Sequence, residues 1–139
     1  MRVLVAAALL PLLVAVLPAA GEHEVWFRYT VLGYVTDGRG QARAAERVEL
    51  VRDRTGFSYL ADTDAAGFYV VIARLGDESA GEALTLRLSG ITTRLTAAFD
   101  PTNHRDERGT RVDVDGTRAV ERAAAFSATL ASFVGAAPR

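Results

Sequence analysis

From residue 25 to residue 115, apolar side chains recur at every second position in short runs, and each run stops at a turn rich in Gly and Asp. Successive side chains on a strand point to opposite faces, so a period of two dictates strands with one face in a core. Val25–Leu32 mixes aromatic and β-branched residues, which suit a pleated surface. Further along it, Val31, Gly33 and Val35 share one face, and Leu32, Tyr34 and Thr36 the other. Asp37-Gly38-Arg39-Gly40 ends this run. Val48–Arg52 follows, with Val48 and Leu50 inward, and closes at Asp53-Arg54-Thr55-Gly56. Phe57–Ala61 alternates again. After the turn 62–67, Phe68–Ala73 is apolar throughout and is expected to be a central strand buried on both faces. Leu75–Glu82 reads as a loop. Leu84, Leu86 and Leu88 alternate with polar residues, Gly90 interrupts, and Ile91–Phe99 alternates once more, so a hairpin across Gly90 is expected. A charged loop spans 100–109. Arg111–Asp115 is expected to be an edge strand with its charged face in water. Strands spaced by about 8–12 residues predict a small antiparallel β-sandwich, with a closed barrel as the alternative.

The two ends break this pattern. Met1-Arg2 supplies one positive charge, Val3–Leu17 is apolar apart from Pro11, and Pro18-Ala19-Ala20-Gly21 brings small residues ahead of Glu22-His23-Glu24. That order reads as a secretory signal peptide over residues 1–20, cleaved best after Ala20. The alternative is an uncleaved anchor, but the run falls short of the roughly 20 residues a membrane span needs. Either reading makes the domain at 22–116 an exported one, periplasmic or secreted. The segment 117–139 loses the alternation. Phe126, Leu130, Phe133 and Val134 lie at i, i+4, i+7 and i+8, one face of a helix. Ala123–Ala137 is uncharged. The segment is expected to be a helix packed on the sandwich, a marginal membrane anchor over residues 119–137, or a frayed or partner-binding tail.

Composition removes many functions. There is no Cys, so disulfides and cysteine chemistry are excluded, and with two His a histidine-rich metal site is excluded too. The net charge of −1 argues against a nucleic-acid surface, which carries a basic excess. No cofactor is implied. Glu22-His23-Glu24 reads as a solvated terminus, with an N-terminal copper or nickel site as the sharper option. Asp62, Asp64, Asp77 and Glu78 are hard-oxygen groups but lack a calcium-loop spacing. His104-Arg105-Asp106-Glu107-Arg108 reads as a solvated loop of opposed charges. An enzyme would need His104 to meet a carboxylate and a nucleophile in a pocket; a loop-exposed, unpartnered His104 would remove that option. Trp26, Phe27, Tyr29 and Tyr34 are aromatic, and alternation puts Trp26 opposite Phe27 and Tyr29. The candidate ligand-binding residues are therefore Trp26, Tyr34 and Tyr59. Outward-facing Trp26 and Tyr34 on one sheet would favour sugar stacking.

Three pieces in order resemble the carboxypeptidase regulatory-like domain. They are Gly33-Tyr34-Val35-Thr36-Asp37-Gly38-Arg39-Gly40, Ala45-Glu46-Arg47-Val48-Glu49-Leu50, and Thr63-Asp64-Ala65-Ala66-Gly67-Phe68-Tyr69. In the third, Asp64 can cap the turn, Gly67 can take positive φ and Tyr69 can anchor the next strand. The resemblance covers about residues 31–99. It implies an all-β, Ig-like or prealbumin-like (transthyretin-like) antiparallel β-sandwich of about seven strands, here joined to an N-terminal signal helix and a C-terminal helix. Gln41-Ala42-Arg43-Ala44 departs from the family, which has a Pro in this connection, and the C-terminal helix is outside its core pattern. In metallocarboxypeptidases such a domain accompanies a separate zinc-bearing catalytic domain, and 139 residues are too few to hold both. The resemblance thus implies an accessory module rather than a peptidase. A related ureide hydrolase ends in Tyr-Arg-Gly-Ser, which this chain lacks. The expectation is a non-enzymatic, exported module acting through envelope-protein or glycan contacts. The alternatives are a carbohydrate-binding module using exposed aromatics and a membrane-tethered scaffold.

Overall fold

The computed structural model describes residues 25–136; the expected signal peptide and Glu22-His23-Glu24 lie outside the described residues. Eight strands and one α-helix follow in order: β1 (Phe27–Thr36), β2 (Arg47–Arg52), β3 (Ser58–Asp62), β4 (Phe68–Leu75), β5 (Ala83–Leu88), β6 (Ile91–Thr96), β7 (Arg108–Asp115), β8 (Arg118–Glu121) and α1 (Phe126–Ala136). They form two four-stranded sheets, β4-β1-β7-β8 and β3-β2-β5-β6. The fold is therefore all-β and sandwich-like, with one short C-terminal helix.

The core lies between the sheets and is built from the alternating residues. Tyr29, Val31 and Val35 of β1, Tyr69 and Val71 of β4, and Val112 and Val114 of β7 meet Val48, Leu50, Leu84 and Leu86 of the other sheet. Turn chemistry sets the strand ends. The Asp64 carboxylate accepts from the backbone N–H groups of Ala66 and Phe68 at 2.8 and 3.0 Å. Gly67 adopts φ +75°, and a Cβ there would lie 2.4 Å from the Val35 carbonyl oxygen. Tyr69 is buried, and its hydroxyl donates to the Val112 carbonyl at 2.7 Å. The β5–β6 hairpin pairs Leu88 with Ile91, so two residues make the turn. Ser89 and Gly90 both take positive φ (48° and 75°), the pattern of a tight turn matched to strand twist.

Four expectations change. The fold is not wholly antiparallel: β1 pairs with β7 in parallel. A parallel pair needs a long crossover, and the intervening strands and the loop before β7 supply it. β7 is also no edge strand, because β1 and β8 flank it. Its charged outer face is neutralised instead, with Arg111 bonded to Asp113 at 2.9 Å and to Thr129 of α1 at 2.9 Å. β4, conversely, is an edge strand. Its continuous apolar run arises because one face enters the core while Phe68 and Val70 on the other lie under α1 with Leu32, Phe126 and Leu130. Finally, residues 118–121, within the stretch read as helical, form β8. Four residues are too few for alternation to show, and pairing with Val112–Asp115 defines the strand.

Candidate functional site

Where the β3 edge of one sheet meets the β4 edge of the other, a shallow groove of about 970 Å³ opens. Trp26, just ahead of β1, Phe57 and Tyr59 at β3, and Ile72 of β4 line it. Trp26 is 44% exposed and Phe57 59%. The Phe57 and Tyr59 rings meet edge to face at 5.1 Å, a favoured aromatic arrangement. The Tyr59 hydroxyl donates to the Arg74 carbonyl at 3.3 Å and so joins the two sheet edges. Arg28, Arg52 and Arg74 complete the cationic part of the lining, and among the described residues none of the lining is acidic.

The structure unites Trp26 and Tyr59 but not Tyr34. Tyr34 is 40% exposed and shares the parity of Trp26 along β1, so both face outward. Eight residues of extended chain separate them by roughly 25 Å. Tyr34 lines a different hollow with Phe68, Phe133 and Arg111, on the other side of α1. Its ring packs on Phe68 at 5.0 Å. Phe57, Ile72 and the arginines are groove residues that strand alternation alone does not mark out. Phe57 carried one signal, an aromatic directly after the turn glycine Gly56.

Beneath the groove, Arg52 makes a two-pronged bond to Glu82 at 2.8 and 2.9 Å. The two side chains are only 11% and 6% exposed. Arg52 also donates to the Ser79 hydroxyl at 3.2 Å. The Arg52 hydrogen bond outweighs desolvation and holds the Glu82 carboxyl below its usual pKa; the same bond raises Arg52. Tyr29, buried in the core near Glu121, is pushed up to about 12, chiefly by desolvation.

His104 is not unpartnered. Its Nε2 lies 2.8 Å from Asp77 Oδ2, and its ring stacks on Phe27 at 4.6 Å. The other oxygen of Asp77 accepts from Arg108 at 3.0 Å. Arg108 is buried, with its guanidinium 4.5 Å from the Phe27 ring centre and 4.2 Å from that of Phe99. It also donates to the Asn103 carbonyl at 3.1 Å. Burial of Asp77 opposes ionisation, but bonds from Arg108 and His104 outweigh it and hold the carboxyl below its usual value. The carboxylate an enzyme would need is present. Both its oxygens are already engaged, however, and no hydroxyl is bonded to His104 or Asp77 among the described residues. The arrangement ties the loop before β7 to the 3₁₀ turn Asp77–Ser79.

The acidic candidates are dispersed. Asp62 pairs with Arg47 at 2.9 Å, Asp64 caps its turn and Asp77 serves Arg108. Among the described residues, no group of three His, Cys, Asp or Glu is placed to hold a metal ion. Among them, too, no helix is long and apolar enough to cross a membrane. No family model matches this chain, and no curated protein matches it.

Proposed function

We propose that this chain is an exported, non-catalytic β-sandwich accessory module of the cell envelope that acts through protein or glycan contacts. In this reading it is a transthyretin-like, carboxypeptidase regulatory-like domain, released from a signal peptide at residues 1–20. The observation that carries the proposal is the outward placement of Trp26, Phe57 and Ile72 around one groove. Monomeric surfaces seldom gather large apolar side chains without a contact to make. The charged groups with catalytic potential are, by contrast, engaged in structural bonds. Two four-stranded sheets and the Asp64–Gly67–Tyr69 turn support the family reading.

The carbohydrate-binding alternative gains from the meeting of Trp26 and Tyr59 in that groove. A membrane tether through residues 119–137 would have to pull α1 off the sheet and expose Leu32 and Phe68, which it now covers. Expression of the full chain in a bacterial host, with fractionation, intact mass and carbonate extraction, tests the proposal. A soluble envelope species lacking about 20 residues is the expected result. Retention of the full mass in the cytoplasm would sink the export reading. A species that keeps to the membrane after carbonate would replace it with the tethered scaffold.

A further inference from the structure

The β1–β4 ladder places Arg28 directly opposite Arg74. Directly opposed residues on one face of an antiparallel pair have Cβ atoms about 5 Å apart, and like charges there are unfavourable. Arg28 is partly neutralised, since Glu107 accepts from it at 2.9 Å. Arg74 is exposed, and its side chain makes no hydrogen bond or ion pair among the described residues. Both arginines line the groove of Trp26, Phe57 and Tyr59, whose lining holds no carboxylate among the described residues although the whole chain is slightly acidic.

We infer that this groove binds an acidic glycan, with the Arg28–Arg74 pair taking a sugar carboxylate while Trp26 and the Phe57–Tyr59 pair stack on the rings. The inference rests on the module reading above and names the ligand class of the same site. Guanidinium groups bind carboxylates in a fork geometry, and a bound anion relieves the repulsion between two opposed arginines. Aromatic side chains at the groove edge offer flat apolar surface to the face of a pyranose ring. A peptide adding as a strand to β4 is disfavoured at this point, because Tyr59 already occupies the Arg74 carbonyl. The concave shape also suits a chain lying in a groove better than a bilayer, into which apolar groups must protrude.

Trp26 is the sole tryptophan, so intrinsic fluorescence reads the site directly. The mature protein is titrated with oligogalacturonate, with its fully methyl-esterified form, with polyglutamate and with anionic phosphatidylglycerol vesicles. The expected result is a saturable shift in Trp26 emission with oligogalacturonate, weakened by salt. Binding should fall about tenfold or more in Arg74→Gln, the loss expected for a charge-assisted bond, and in Phe57→Ala. Both side chains are exposed, and an unchanged thermal midpoint verifies that the variants fold. Equal binding of the esterified form overturns the acidic-ligand inference and leaves the module reading intact. Preferential binding of polyglutamate or vesicles also overturns it, in favour of a protein or lipid partner. Binding that is indifferent to Arg74→Gln, or absent altogether, overturns it as well; secretion and leader cleavage continue to report on the module reading independently.

Discussion

Arg52 and Arg108 on one side, Arg28 and Arg74 on the other, show the same side chain in opposite roles. The first two are withdrawn from water and paired: Arg52 grips Glu82 with two bonds, and Arg108 lies between two aromatic rings while its Nη2 holds Asp77 and a loop carbonyl, its Nη1 being buried without a hydrogen-bond partner among the described residues. The second two face each other across a ladder at the surface; among the described residues the Arg28 side chain has one acceptor, Glu107, and the Arg74 side chain has none. Burying a charge is costly unless an opposite charge accompanies it, so the carboxylate partners Glu82 and Asp77 commit the first pair to structure. An exposed charge with no partner carries no such commitment and is available to a ligand. Burial and pairing, not residue type, separate the structural arginines from those proposed to bind.

The largest effect should come from breaking a committed pair. Glu82→Ala leaves the Arg52 guanidinium uncompensated and should cost about 3–5 kcal/mol, read as a lower urea midpoint with an unchanged slope. The same pair predicts acid sensitivity. Glu82 has a depressed pKa in the folded state. Its contribution is therefore fully present above the unfolded glutamate value of about 4.3 and is lost as pH falls through the lower folded value. Urea midpoints measured from pH 7 to pH 3 should drop below that point in the native chain and drop less steeply in Glu82→Gln.

Arg108→Ala should cost about 1.5–3 kcal/mol by removing charge-assisted bonds. It should also raise hydrogen exchange in the loop 100–107 while leaving exchange in β5 and β6 unchanged. The smallest effect sharpens the contrast most. Arg74→Glu sets opposite charges across the ladder and should stabilise the fold by about 0.2–1 kcal/mol, while abolishing the binding of acidic oligosaccharide. A loss of stability in that variant would show that Arg74 belongs with the committed arginines after all.

Local chemistry made much of this legible. The Asp64 cap and the positive φ of Gly67 are local chemistry and are met as expected, while Tyr69 is buried as expected but through a long-range bond to the Val112 carbonyl. The inward faces of β2 and β5 follow from alternation. Errors fell where a segment's neighbours decide its environment. The apolar run of β4 looked like a central strand because it has two covered faces, yet one cover is a helix and the strand lies at an edge. The charged alternation of β7 reads as an edge because nothing local shows that β1 and β8 flank it; on its outer face Arg111 pairs with Asp113 of the same strand, while Arg122 and the Thr129 hydroxyl bond in from other elements. Of the three candidate binding residues, exposure held for Trp26 and Tyr34, while α1 divides Tyr34 from the groove that Trp26 and Tyr59 share.

The periodicity of apolar residues and the turn residues between them thus determine where strands begin, end and face, because those choices are settled by side-chain direction and by dihedral preferences within a few bonds. Only tertiary structure decides that β1 lies between β4 and a parallel β7, that Arg28 opposes Arg74, and that Trp26 and Tyr59 line one groove. These pairings join residues tens of positions apart. They are selected by the burial of the whole core between two sheets, a collective term that no single segment carries.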